Sequence, residues 1–156
     1  MKRFSLFVIA FLSLVSCQND EAETVLNNEP ADIVFETLKH SSFGTYTINA
    51  VTPQNFVINS QANWAAFTDL YYEPIDDINV DYSQSTVISC VGNFRPNMGQ
   101  SDQFTITGVV QQNDTVHVTI QSVYGVDEIQ MTMSYQPYHI VKIPKTTLPV
   151  TFNYVP

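Results

Sequence analysis

The stretch that decides the predicted fold is FTITGVVQQNDTVHVTIQ, residues 104–121. Apolar and polar residues alternate with a period of two on both sides of Asn113-Asp114, which is a turn signal. Such alternation buries one face of a strand and leaves the other face in water, as in an antiparallel sheet. The stretch therefore predicts two antiparallel strands joined by a short turn.

Most of the remaining chain also has the composition of β-strands. Pro137 has no backbone N–H, so we expect it to interrupt the ladder, with a new strand or the far side of a bulge beginning at Tyr138. Short turns, including one at residues 125–128, predict a meander. The further strand candidates are Ile33–Leu38, Thr45–Ile48, Asn55–Ile58, Thr86–Gly92, Ile129–Tyr135, Tyr138–Ile143 and Val150–Tyr154.

One segment follows the helical period instead. Ser60 is a suitable N-cap for a helix over Gln61–Tyr71. Trp64, Phe67 and Tyr71 fall on one face of that helix, which is expected to pack on the sheet. The predicted fold class is therefore α+β, with a mostly antiparallel β-sheet or partial barrel and one packed helix.

The N-terminus is expected to be an export signal rather than a membrane span. Lys2 and Arg3 precede an apolar run, Phe4–Val15, of about twelve residues, whereas a transmembrane helix needs roughly twenty. The ending Leu14-Val15-Ser16-Cys17 resembles the lipobox of bacterial lipoproteins. The resemblance implies a signal peptide over residues 1–16 and a lipid on Cys17. It places the protein in the cell envelope, on the outer membrane of a Gram-negative bacterium.

The segment after Cys17 is acidic and poor in aromatic residues, which predicts a solvated tether over residues 17–31. Residues 32–156 are then expected to form a single domain. Acidic residues directly after a lipidated cysteine resemble a surface-display signal of some Gram-negative lineages, and they fit a plain spacer equally well. The face of the membrane on which the domain lies stays open.

The charge balance excludes several classes of partner. The chain of 156 residues has a net charge of −9, and removal of the signal peptide with Lys2 and Arg3 leaves 4 basic and 15 acidic residues, a net charge of −11. Binding to nucleic acid requires a basic surface, which this composition does not supply. A polybasic contact with anionic lipid is excluded for the same reason.

The sequence contains no recognisable catalytic motif, and we predict neither an enzyme nor a cofactor. The nucleophile elbow, the zinc-protease helix, the P-loop and the dinucleotide fingerprint are all missing. Cys90 lies in the apolar run Val87–Val91 without a neighbouring base, so it is expected to be a buried, inert thiol.

The candidate metal ligands also lack the spacing of a metal site. The three histidines are expected to face solvent, and the acidic loop before Ser85 lacks the glycine and closing glutamate of a calcium loop. We therefore predict no metal. These residues are His40, His117 and His139, and Asp76, Asp77 and Asp81.

The order of elements resembles the C-terminal domain of the protease complex subunit PrcB family. A helix containing Trp64 is followed by a strand ending at Gly92 and then by Arg95. The most specific part is the run QPYHIVKIPK, residues 136–145, and the resemblance extends over Asn55–Phe152. The family usually has a Gly-Gly-Tyr-like turn soon after the arginine, whereas this chain has a longer segment with one glycine.

The resemblance implies an accessory, non-enzymatic role at the cell surface, with a surface protease as one kind of partner. Arg95, Tyr138 and His139 are the candidate partner-binding residues. Arg95 is placed either to face a partner or to cap a turn, and Tyr138 is equally suited to a core position. The alternative function is surface binding of glycan or peptide ligands, for which Tyr71, Tyr72 and Tyr124 could supply stacking surfaces.

Overall fold

The computed structural model describes residues 29–44, 52–70, 78–95, 103–124 and 135–156, with only the backbone described at 42–44. Strands dominate these ranges, which contain a single helix. The predicted class, α+β with mostly antiparallel sheet and one helix, is confirmed. In chain order the elements are β1 Ala31–Asp32, β2 Glu36–Gly44, β3 Gln54–Ile58, α1 Gln61–Thr68, β4 Ser85–Val91, β5 Gln103–Gln112, β6 Thr115–Val123, β7 Tyr135–Pro144 and β8 Val150–Val155.

The strands form two four-stranded sheets. The first has the order β1-β5-β6-β8 and the second has the order β2-β7-β4-β3. All neighbouring strands are antiparallel except β6 and β8, which are parallel. The predicted meander is wrong beyond β5 and β6, because β7 lies in the other sheet. Alternation reveals which face of a strand is buried, but it does not reveal which strand lies beside it.

The turn between β5 and β6 confirms the prediction from Asn113-Asp114. Both residues have positive φ angles, 49° and 57°. Left-handed backbone at both central positions is the geometry of a type I′ turn, whose twist matches that of the flanking strands. The turn brings Gln112 opposite Thr115 and sets the register of the hairpin.

The two sheets enclose the larger hydrophobic core. It contains Cys90, which is fully buried as expected. Residues of β4 and β7 meet residues of β5 and β6 across the interface. The buried members are Ile88, Cys90, Phe104, Ile106, Val109, Val116, Val118, Ile120, Val141 and Ile143.

A second core lies between α1 and the opposite face of the second sheet. The hydroxyl of Ser60 accepts a hydrogen bond from the Asn63 N–H at 3.1 Å, which confirms the predicted N-cap. Trp64 and Phe67 are 1% and 2% exposed and pack on the sheet. The helix ends at Thr68, so the predicted extension to residue 71 is too long, and residue 71 itself lies outside the described residues. Because both faces of the second sheet are covered, β4 and β7 are almost continuously buried.

Pro137 does not interrupt the sheet, contrary to prediction. It lies inside β7, opposite Ser42 of β2, and its carbonyl accepts the Gly92 N–H at 2.8 Å. In an antiparallel ladder the N–H and C=O of one residue point toward the same neighbouring strand. The donor that Pro137 lacks would therefore point toward β4, which ends at Val91. The proline removes no bond to β2, and the ladder continues.

The predicted strand Ile33–Leu38 is also wrong as a single element. Residues Ile33–Phe35 separate β1, which pairs in the first sheet, from β2, which pairs in the second. The chain crosses between sheets over these three residues, and side-chain composition does not reveal such a crossing. The strand predicted at Thr45–Ile48, the turn at 125–128 and all but the last residue of the strand at Ile129–Tyr135 lie outside the described residues.

Candidate binding site

Arg95 lies at the end of the sandwich where β4 and β6 finish and β7 begins, which we call the arginine end. Its backbone N–H donates to the Tyr135 carbonyl at 2.8 Å, and its carbonyl accepts the Tyr135 N–H at 2.9 Å. These two bonds form an isolated bridge beyond β4. The bridge fixes the backbone of Arg95 beside the first residue of β7.

The Arg95 guanidinium is stacked on Tyr124, the residue that follows β6. Its Cζ atom lies 3.3 Å from the centroid of the tyrosine ring. A cation over an aromatic face is attracted by the ring quadrupole, and stacking leaves the donors along the guanidinium edge free to point outward. The Nε atom is buried without a hydrogen-bond partner, and no carboxylate in the described ranges forms an ion pair with Arg95. Within the described part of the chain, Arg95 is thus an oriented cation whose Nε donor has no acceptor.

Tyr154 and Asn55 extend this surface across the seam between the two sheets. The Tyr154 hydroxyl, on edge strand β8, donates to Asn55 Oδ1, on edge strand β3, at 3.0 Å. Partial burial raises the pKa of Tyr154, and the nearby phenol of Tyr124 contributes in the same direction. Tyr154 nevertheless remains 53% exposed. The arginine end therefore combines a stacked cation with an accessible aromatic ring.

Several acidic residues lie far from Arg95. Asp32 is opposite Val110, Glu36 is opposite Lys142, and Asp114 occupies the β5–β6 turn. That turn is separated from the arginine end by the nine residues of β6, which is about 30 Å at 3.3 Å per residue. Asp81 precedes β4 and so lies at the same distant end. These four carboxylates therefore lie at the far end of the strands, too distant from Arg95 to form an ion pair with it.

The chemistry of Arg95 is that of an anion-binding group. A guanidinium retains its proton at all accessible pH values, so Arg95 can hold an anion but cannot serve as an acid or base. Cys90 lies in the adjoining strand β4, and burial raises its pKa to about 12. Its thiol therefore stays protonated and buried in the core.

A second polar cluster, which we call the histidine seam, joins the sheets on the opposite side. It consists of Thr37, His40 and His139 from the second sheet and the backbone of β5 at Phe104 and Ile106. The His139 Nδ1 accepts the Ile106 N–H at 2.8 Å, and His40 Nε2 donates to the Phe104 carbonyl at 2.9 Å. β1 pairs with β5 only at Val110 and Gln111, so it does not reach Phe104 and Ile106. The two imidazoles bind the backbone of β5 there, where a neighbouring strand would otherwise pair.

These bonds define the tautomer of His139. Since Nδ1 accepts a backbone proton, the ring proton must be on Nε2, where it donates to Thr37 Oγ1 at 3.0 Å. The Thr105 hydroxyl lies 3.1 Å from the same Nδ1. His40 stacks on the ring with the centroids 4.5 Å apart. Burial, and secondarily the charge of His40, lowers the pKa of His139 from 6.5 to about 4.

The expectation that all three histidines face solvent is wrong for His139, which is 3% exposed. His117 lies at the surface of β6 with its Nδ1 2.8 Å from Thr151 Oγ1, and His40 is exposed although it is hydrogen bonded. Tyr138 is 4% exposed and belongs to the core under α1. Side chains this buried offer a partner almost no surface, so Arg95 is the sequence-predicted residue on which a binding site can be built.

Tyr124, Tyr154 and Asn55 were harder to identify as part of one site. The sequence predicts only a stacking surface at Tyr124, and only strand positions for Asn55 and Tyr154. Their meeting depends on β3 and β8 being the edges of two sheets that pack together, which no local pattern encodes. A tyrosine at the end of a strand is the only signal that the sequence offers.

The described residues contain no group of three metal-ligating side chains that could hold a metal ion. Asp81 instead accepts bonds from the Ser83 N–H and hydroxyl, at 2.9 and 2.6 Å, which lower its pKa. Asp76 and Asp77 lie outside the described residues, as does Cys17. No helix in the described ranges has the length and apolar character needed to cross a bilayer.

Comparisons of the chain with protein-family models, with curated proteins and with solved structures each returned no match.

Proposed function

We propose that this protein is a lipid-anchored, non-enzymatic lipoprotein that acts as an accessory or interaction module in the cell envelope. The N-terminal signal ending at Cys17 supports the anchor. The arginine end supports the binding role, because it presents a stacked cation and exposed aromatic surface. The stacking of Arg95 on Tyr124 at 3.3 Å is the observation on which the binding role chiefly rests.

The proposed anchor is strong enough to be permanent. Each buried CH₂ contributes about 0.8 kcal/mol, so a single acyl chain binds a membrane only marginally. A diacylglyceryl group with a further N-acyl chain on Cys17 would hold the domain on the outer membrane. The tether of residues 17–31 would then let the domain reach a partner fixed elsewhere in the envelope.

The kind of partner follows from the resemblance to the PrcB family. A lipoprotein of that type would assemble with a surface protease and leave catalysis to it. The non-enzymatic assignment is consistent with Arg95 as the prominent polar group of the site, since arginine binds anions without exchanging protons.

Crosslinking in intact cells tests this proposal. The full chain with a C-terminal affinity tag is crosslinked, recovered from the membrane fraction and compared with the Cys17→Ala variant. We expect one reproducible envelope protein with the wild type, and loss of both the membrane location and that partner with the variant. Recovery of the wild type without a reproducible partner would count against the interaction role, and a wild type found outside the membrane fraction would refute the anchor.

A second candidate function is the binding of glycan or peptide ligands at the surface. The observation that favours it is the exposed ring of Tyr154 near Tyr124, because sugars and peptides both stack on accessible aromatic faces. Probing a glycan array with the full chain in detergent distinguishes this function. Specific glycan binding that Tyr154→Ala abolishes would favour it, whereas an array without signal would exclude glycans.

A further inference from the structure

We propose that the arginine end is a carboxylate-binding site, and that its ligand is a carboxylate of a polypeptide partner. The carboxylate belongs either to an Asp or Glu side chain or to a free C-terminus. This inference rests on the proposed function as an interaction module and specifies the chemistry that the module recognises.

The geometry of Arg95 is that of a prepared receptor. Two backbone bonds to Tyr135 hold its main chain, and the Tyr124 ring holds the plane of its guanidinium. A planar guanidinium presents its donors as a fork that matches the two oxygens of a carboxylate. The Arg95 side chain is therefore already ordered before the ligand arrives, so binding costs less conformational entropy.

The state of Arg95 is unusual for this composition. The chain has 15 acidic and 6 basic residues, so an arginine has many potential partners of its own. Lys142 illustrates the ordinary outcome at the other end of the domain, since its Nζ lies 2.8 Å from a Glu36 oxygen. Arg95 instead has no ion pair in the described ranges and a buried Nε without an acceptor. Among the described residues, Arg95 is thus a cation without an ion pair, and four of the described acids lie at the opposite end of the strands.

The surroundings of Arg95 favour a polypeptide ligand. Phe94 is 40% exposed beside it, and Tyr154 and Val155 at the end of β8 are 53% and 38% exposed. Arginine and tyrosine surrounded by apolar surface are the residue types that dominate binding energy at protein interfaces. The carboxylate would fix the position of the partner, and the apolar side chains would contribute burial.

Peptide arrays test the proposal directly. The full chain, purified in a neutral detergent, is applied to random heptapeptides displayed in matched pairs. One pair type compares Asp and Glu with their isosteres Asn and Gln, and the other compares a free C-terminal carboxylate with its amide. We expect the acid form of a bound peptide to bind at least about tenfold more tightly than its amide, since charge-assisted bonds exceed neutral ones. The pair type that shows this ratio identifies the source of the carboxylate.

Three variants test whether Arg95 causes the difference in affinity between the acid and amide forms of a peptide. Arg95→Gln is expected to abolish the acid-to-amide ratio, and Arg95→Lys to retain part of it, because lysine keeps the charge but loses the fork. Lys142→Gln, which removes a cation paired with Glu36 at the other end, is expected to leave the ratio unchanged. Thermal unfolding of each variant checks folding, and the ratio should decrease between 50 and 500 mM salt.

The outcomes distinguish a failure of the carboxylate-binding site from a failure of the proposed interaction role. A ratio that persists in Arg95→Gln overturns the site, as does a wild type that binds both members of each pair equally. Equal binding would leave the interaction module intact and refute only its carboxylate chemistry. If the wild type binds no peptide, the site is refuted, and the interaction role is decided separately by crosslinking in cells.

Discussion

Protonation of His139 is predicted to destabilise the protein by opening the histidine seam. The ring accepts the Ile106 N–H on Nδ1, so a proton added to that nitrogen would face another donor. The imidazolium would also be buried beside His40, with threonine hydroxyls but no carboxylate among its hydrogen-bond partners. A buried, unpaired charge is one of the costliest features that a fold can contain.

The magnitude follows from the lowered pKa. Burial, followed by the charge of His40, lowers the pKa of His139 from 6.5 to about 4 in the folded state. Between these values the unfolded chain binds more protons than the folded chain, so the free energy of unfolding rises with pH. The stabilisation is complete above pH 6.5, decreases as the pH falls and is lost below pH 4. The difference between the two plateaus is about 3 kcal/mol.

Urea unfolding of the full chain at a series of pH values from 8 to 3.5 measures this effect. Other groups titrate in the same range, so the informative quantity is the difference between the wild type and His139→Asn. The asparagine carbonyl can accept the Ile106 N–H without titrating, and the variant should lose the pH dependence assigned to His139. Its stability at pH 8 is expected to fall by about 1–2 kcal/mol, because the bond to Thr37 and some packing are lost. His117→Asn, at the sheet surface, is the matched control.

Two results would refute this reasoning. The first is a wild type and a His139→Asn variant with parallel profiles between pH 6.5 and 4, which would mean that His139 protonates without cost. The second is an equal loss of pH dependence in His117→Asn, which would assign the effect to histidine content rather than to the seam.

Three further predictions concern packing and the helix. Gly92→Ala should lower the free energy of unfolding by about 1–3 kcal/mol in urea, because a Cβ there would lie 2.9 Å from both Phe104 and Pro137; an unchanged midpoint would contradict the close packing. Ser60→Ala should cost about 1 kcal/mol through loss of the N-cap bond, whereas Ser60→Asp, which keeps an acceptor, should cost much less. Cys90 should resist a thiol reagent at pH 8 in the native state and react once urea unfolds the chain, and rapid native labelling would contradict its burial.

Features of the fold that depend on local chemistry could be predicted from the sequence. The β5–β6 turn requires residues that accept positive φ, and Asn113-Asp114 provides them. The helix start requires a side-chain acceptor, and Ser60 provides it. Long-range features could not be predicted in this way. The sequence predicts that Pro137 breaks a strand, because proline lacks a backbone N–H. That missing donor weakens a sheet only where the neighbouring strand offers an acceptor, and whether it does depends on where β4 ends.

The candidate site shows the same division. Arg95 could be selected because it is the arginine of the folded part and follows a strand. The burial of His139 is not predictable from the sequence, because an imidazole in a strand is equally compatible with a solvent-facing position. Its burial depends on the open edge of β5, which exists because β1 has only two residues and pairs with β5 far from Phe104. A side chain that hydrogen bonds to the open edge of a strand can be recognised only when the pairing of that strand is known.

The two sides of the sandwich differ in how well each could receive the proposed partner. Among the described strands no backbone ladder joins the two sheets, and side chains connect them on each side. On one side the connection is the hydrogen-bonded pair of imidazoles, of which His139 is buried and neutral, so opening this contact for a partner would cost stability. On the other side it is the hydrogen bond from Tyr154 to Asn55, which leaves half of the tyrosine accessible. A partner that docks on Tyr154 and Arg95 can bury apolar surface and an ion pair without disturbing the core. Substitutions in the histidine seam are therefore expected to change stability, whereas substitutions at Tyr154 and Arg95 are expected to change binding.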